Sequence, residues 1–88
     1  MDLRYAPRFV ASFRELSLTD KMAVLHAIGL FREDPFDASL NNHALVGGLA
    51  GKRAFAADQD LRIVFMERGN YQDVTLLHVG GHATVYRR

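Results

Sequence analysis

"KRAFAADQDLRIVFMERGNYQDVTLLHVG", residues 52–80, decides the fold of this chain. In its middle run Leu61, Ile63 and Phe65 alternate with Asp60, Arg62, Val64 and Met66. That period of two belongs to a strand with one buried face. "KRAFAA", "DLRIVFME" and "YQDVTLLHVG" therefore predict three consecutive strands, with "DQ" and "RGN" as separators. Separators this short join antiparallel neighbours. Leu61, Ile63 and Phe65 are expected to face a covering layer, leaving Asp60, Arg62, Val64 and Met66 on the other side.

Upstream of this stretch the period is that of a helix. "DLRYA", residues 2–6, predicts a short strand with Leu3 and Tyr5 on one side. Pro7 suits a first helical turn, where its missing N–H leaves nothing unpaired. Phe9, Val10, Phe13 and Leu16 follow at helical spacing, predicting a helix over 7–16. "SLTD" from Ser17 resembles a capping box. Beyond it Leu18, Met22, Leu25 and Ile28 mark an apolar stripe at steps of three and four. "REDPFDASLNN" then ends the second helix, because Pro35 pushes the residue before it away from helical geometry. The short link between the helices predicts a hairpin. The expected fold class is α+β with two layers, in which an N-terminal strand and a helical hairpin lie on an antiparallel sheet of about four strands. A short terminal strand is expected to close it.

Composition narrows the function classes. Eighty-eight residues with 49% hydrophobic side chains make one domain, 1–88, with a modest core. The absence of cysteine removes disulfides and thiolate chemistry. No apolar run approaches the roughly 18 residues that span a bilayer. The N-terminus also lacks the order of a secretory signal. A cytoplasmic chain with no membrane partner is expected. Net charge is only +1, but residues 52–88 carry six Lys/Arg against four Asp/Glu, while residues 1–51 carry five against six. The C-terminal half thus leans toward an anionic partner.

Asp60 and Arg62 stand two apart in one predicted strand, so their side chains are expected to share a face. Arg62 has two readings: a snorkelling side chain among apolar neighbours, or a planar fork presented to phosphate oxygens. His43 precedes "ALVGGLAGKR", whose glycines read as turn and bulge residues. "GGLAGK" lacks the spacing and the following Ser/Thr of a phosphate-binding loop. Gly80-Gly81 is expected to turn the chain back over the open face, carrying His82 and Tyr86 with it. His26 and His78 read as bystanders. No ligand pair stands at zinc-site spacing, and no serine sits in a nucleophile elbow. Neither a metal nor an organic cofactor is expected. What remains is histidines, a carboxylate and arginines, a set suited to acid–base chemistry on a phosphodiester.

In order and spacing, "HALVGGLAGKRAFAADQDLRIVF" followed by "VTLLHVGGHATVY" resembles the C-terminal half of RelE/ParE-superfamily toxins. YafQ-like and RelE/StbE-type mRNA interferases are the most similar branch. The resemblance implies the toxin of a bacterial type II toxin–antitoxin module with a RelE-like fold. It further implies metal-independent cleavage of mRNA, often on the ribosome, by attack of the ribose 2′-OH on the adjacent phosphate. Its implied partners are a cognate antitoxin and mRNA. By position His43 matches the family's loop histidine, Asp60 its strand-start acid and Arg62 its strand arginine. His82 matches the histidine of the terminal Gly-x-His, and Tyr86 the closing aromatic. His82 is expected to act as proton donor, with His43 or Asp60 as acceptor and Tyr86 holding a base. Lys52, Arg53, Arg87 and Arg88 are expected to contact substrate. A histidine that YafQ-like enzymes carry on the first meander strand is replaced by Ala56 here. Two other readings accompany this one: a ParE-like toxin that acts on DNA gyrase, and a catalytically weak member that serves as an antitoxin-binding module.

Overall fold

The computed structural model describes residues 1–81. Strand β1 (Asp2–Tyr5) leads into helices α1 (Pro7–Arg14) and α2 (Leu18–Glu33). A short 3-10 turn at Ala38–Leu40 leads to β2 (His43–Ala44), and another at Gly47–Leu49 precedes β3 (Arg53–Ala56). Strands β4 (Leu61–Arg68) and β5 (Asp73–Gly81) complete the described chain. The sheet order among the described residues is β1-β5-β4-β3-β2.

The helices form where the sequence predicts them. Pro7 occupies the first turn of α1. Ser17 caps α2 by accepting the Asp20 N–H at 3.1 Å, satisfying one of the donors a helix start leaves unpaired. Both helices cover one sheet face. There Phe9, Val24, Ala27, Ile28 and Phe31 bury against Phe55, Leu61, Ile63, Phe65, Leu76 and Val79. Phe31 is the centre of this core. Its ring stacks on Phe55 at 4.3 Å and meets Phe65 edge-on at 5.0 Å. Aromatic pairs of this kind are worth roughly 0.5–1.5 kcal/mol beyond the area they bury.

The meander is antiparallel, and Leu61, Ile63 and Phe65 face the helices as their period of two requires. Four features depart from expectation. First, β2 and β1 extend the sheet to five strands, and β1 pairs with β5 in parallel, Leu3 opposite Val74. Parallel pairing of distant segments leaves no local sequence signal, whereas a hairpin does. Second, Leu18, Met22 and Leu25 are exposed, at 74%, 63% and 59%. Helix α2 is apolar on two sides, and only the Val24–Ala27–Ile28–Phe31 side meets the sheet. Third, Gly80 and Gly81 do not turn the chain; they continue β5, paired with Arg62 and Leu61. The short terminal strand expected beyond them lies outside the described residues. Fourth, a bulge at Leu77 shifts the pairing, so that Val64 faces His78 while Phe65 faces Leu76. The inserted residue lets Leu76 and Val79 both turn toward the helices.

Ser12 ties α1 to this strand. Its hydroxyl accepts the Val79 N–H at 3.1 Å and donates to the Phe9 carbonyl at 3.0 Å. Strand β1 has ended by this point, so the helix supplies the acceptor that the edge lacks.

Candidate active site on the open sheet face

Register places the candidate side chains. Paired residues in a sheet point to the same face. His43, Ala54, Val64 and His78 form one row across β2, β3, β4 and β5. Ala56, Arg62 and Gly80 form the next row. Both rows lie on the face away from the helices. Residues Leu45 and Leu49 fold over the first row and bury Val64 and Ala54. Gly47 and Gly51 make this loop possible, with φ of +65° and +91°, a region that L side chains rarely adopt. The second row is left uncovered. Ala56 and Gly80 give it a floor almost without side chains on either side of Arg62.

Arg62 ties the turn that precedes β4. Its Nη1 donates to the carbonyls of Asp58, Gln59 and Leu61 at 2.8, 3.2 and 3.0 Å. Asp58 closes the same turn by accepting the N–H groups of Asp60 and Leu61, each at 2.9 Å. The guanidinium is thereby anchored at one nitrogen, and the fork keeps further donors. Asp60 stands in this turn, ahead of β4. A Cβ built on Gly81 would lie 3.3 Å from its Oδ2, so the carboxylate reaches the last strand one residue before His82. No ion pair joins Asp60 to Arg62; the ion pair among the described residues is Arg4–Asp2.

His43 follows two asparagines that fix the chain ahead of it. Asn41 adopts a left-handed conformation, φ +47°, and its carbonyl lies 2.8 Å from His43 Nδ1. A carbonyl only accepts, so Nδ1 donates its proton in this contact. Asn42 is a peg. Its Nδ2 donates to the Pro35 carbonyl at 3.0 Å and to the Tyr71 hydroxyl at 3.1 Å, while Oδ1 accepts from Arg53 Nε at 2.9 Å. Arg53, expected at the substrate, therefore lies on the helix-facing side with Phe65, its guanidinium 5.9 Å over the Phe36 ring. The sheet's regular spacing puts the Cα atoms of His43 and Arg62 about 12 Å apart, and those of Arg62 and His78 about 8 Å apart.

His78, read as a bystander, is buried at 9% exposure on the open face. Burial holds its imidazole below the ordinary histidine value, and the charges of Arg8 and Lys52 add to that effect. Lys52 was expected near substrate and Arg8 was not singled out. The signal for Arg8 was its place at the start of α1, next to the strand that pairs with β5. His82, Tyr86, Arg87 and Arg88 lie outside the described residues. Among the described residues no three His, Asp or Glu side chains gather to hold a metal ion, and no helix is long and apolar enough to cross a membrane.

No family model matches this chain, and a comparison with curated proteins finds no match. Solved structures do match. The chain superposes on YafQ from E. coli with a TM-score of 0.80 at 16% identity, over 98% of each chain. It matches the RelBE2 toxin–antitoxin complex from Mycobacterium tuberculosis with a TM-score of 0.75 at 18% identity, over 92% of this chain and 96% of that one. This chain has the RelE/ParE toxin fold. A YoeB/ParE toxin from Agrobacterium tumefaciens shares it too, with a TM-score of 0.75 at 16% identity, over 93% of this chain and 99% of that one. At these identities the likeness is one of fold. The RelE/ParE fold accounts for the two edge strands, the helical layer and the open face described above.

Proposed function

We propose that this chain is the toxin of a type II toxin–antitoxin module and cleaves mRNA on its open sheet face without a metal. The observation that carries the reading is Arg62 on its Ala56–Gly80 floor. The floor leaves room for a phosphodiester, and the fork suits its oxygens. His43 Nε2 takes the proton of a ribose 2′-OH. O2′ bonds to phosphorus, the P–O5′ bond breaks, and His82 protonates the departing O5′. The products are a 2′,3′-cyclic phosphate and a 5′-OH. The Asn41 carbonyl on Nδ1 supports His43 over Asp60 as the base, because it orients the ring and directs any accepting lone pair to Nε2. Arg62 stabilises the charge that builds on the phosphorane oxygens, and Tyr86 stacks on a base.

The test is translation-coupled mRNA cleavage by the 88-residue chain in EDTA, with the new ends mapped. Cyclic phosphate ends that disappear in Arg62→Ala and His43→Ala bear the proposal out. A double variant that cuts as well as wild type overturns it. Inhibition of gyrase supercoiling by a chain that leaves mRNA intact favours the ParE-like alternative.

The partner reading rests on a different surface. An apolar groove of about 260 Å³ runs between α1 and α2, lined by Tyr5, Phe9, Val10, Phe13, Leu25 and Ile28. Exposed Leu18 and Met22 extend it along α2. Such a stripe suits the apolar face of an amphipathic helix. We assign it to the antitoxin, in keeping with the fold shared with the RelBE2 complex.

A further inference from the structure

A second group of charges lies on the open face, one row away from Arg62. A cavity of about 250 Å³ opens between the start of α1 and the loop before β3, lined by Ala6, Arg8, Leu49, Lys52, Leu77 and His78. Arg8 and Lys52 reach it from distant parts of the chain, and neither has an ion-pair partner among the described residues. Like charges brought together without a counter-charge repel one another, and an anion between them removes that repulsion. His78 is the third group. No described residue hydrogen-bonds its ring, and among the described residues no fully buried side-chain nitrogen or oxygen lacks a partner. The ring nitrogens are therefore the part of this buried side chain that opens on the cavity. The start of α1 adds to the same field. Ala6 offers no side-chain cap, and the first amides of a helix have no partner within it.

We propose that Arg8, Lys52 and His78 form a phosphate-binding subsite for a nucleic-acid strand whose reacting phosphodiester lies at Arg62. The proposal rests on the reading of the open face as an RNA-cleaving surface. A phosphate in the cavity accepts hydrogen bonds from the Arg8 fork and the Lys52 ammonium. The subsite lies two residues along the sheet from Arg62, so a strand crossing the face meets both. It fixes register and supplies affinity that a net charge of +1 otherwise leaves weak.

His78 is the reporter. Without ligand the two cations oppose its protonation; a bound phosphate reverses the local field and draws a proton onto the ring. The experiment follows the ring resonances of His78 against pH in the 88-residue chain. Two probes are added separately: inorganic phosphate, and an all-2′-deoxy oligonucleotide that lacks the attacking hydroxyl. Both are expected to move the His78 titration upward by about one pH unit, and the shift is expected to vanish in Arg8→Gln/Lys52→Gln. A titration unmoved by either probe overturns the subsite, as does a shift that survives in the double variant. A response to inorganic phosphate alone overturns the assignment to a nucleic-acid strand. An oligonucleotide that shifts the Arg62 resonances and leaves His78 untouched overturns the subsite while the interferase reading stands. A His78 response in a chain that cuts no mRNA leaves the anion site standing and overturns the interferase.

Discussion

Arg62 Nη1 lies 2.8 Å from the carbonyl oxygen of Asp58, so the arginine proposed to bind phosphate also closes the turn that carries Asp60. The two duties separate by substitution. Arg62→Ala removes charge and turn hydrogen bonds together. It is expected to lower cleavage by about 10²–10³-fold and stability by about 1–2 kcal/mol. Arg62→Lys keeps the positive charge and loses the fork, so it recovers part of the rate and less of the turn. Cleavage assays beside urea denaturation check both. Equal recovery of the two quantities would mean that Arg62 acts on phosphate only through the turn.

Asn42 makes a different demand. It precedes His43 and spends both donors and its acceptor on Pro35, Tyr71 and Arg53. Asn42→Ala leaves these groups unpaired in a half-buried setting, and a loss of about 1–3 kcal/mol is expected. Because β2 spans only His43–Ala44, its ladder with β3 is short, and the Asn42 hydrogen bonds beside it help to keep that pairing in place. Cleavage is expected to fall more than stability predicts, with kcat affected before KM. An Asn42→Ala chain with normal kcat at a temperature where it is fully folded would show that His43 needs no such peg.

The groove and the core give opposite expectations for apolar residues of one helix. Phe31→Ala opens a cavity among Phe55, Phe65 and Tyr71, and a loss of about 3–5 kcal/mol is expected. That is a large share of the total for a small domain. Leu18→Ser/Met22→Ser changes exposed positions and is expected to stay within about 0.5 kcal/mol per site. The same pair is expected to weaken binding of the proposed cognate antitoxin at least tenfold, read by calorimetry. Unchanged antitoxin affinity would remove α2 from the interface.

The contrast within α2 marks where local pattern stops being legible. Leu18, Met22 and Leu25 hold a helical period as regular as the buried set of Val24, Ala27, Ile28 and Phe31, and periodicity cannot rank two apolar stripes on one helix. What decides is which side the sheet lies on, and that depends on β1 docking beside β5 from the other end of the chain. The meander was readable because each strand's partner is its sequence neighbour. Ser17 and Pro7 were readable because caps act within a few residues. The bulge at Leu77 left no mark, so His78 could not be placed beside Arg8 from spacing alone. Arg53, expected to contact substrate, stands an even step from Phe55 and so lies on the helix side of the sheet, a placement that its charge does not signal.

His78 gives the pH prediction its sign. Burial first, then Arg8 and Lys52, lower its affinity for a proton in the folded chain. In the unfolded chain the imidazole titrates near 6.5. Between the folded and unfolded values the unfolded state binds more protons, so stability rises with pH across that window. The penalty is absent well above pH 6.5, grows as the pH falls through it, and is complete below the folded-state value. His78→Gln cannot titrate and removes this contribution, while every other histidine remains in both chains. The difference in Tm between wild type and His78→Gln, measured in phosphate-free buffer, is therefore expected to grow in favour of wild type from about pH 5 to pH 7.5. Inorganic phosphate is expected to flatten that slope, because an anion between Arg8 and Lys52 restores the proton to the folded ring. A difference that runs the other way with pH would mean that a carboxylate, and not the two cations, dominates the surroundings of His78.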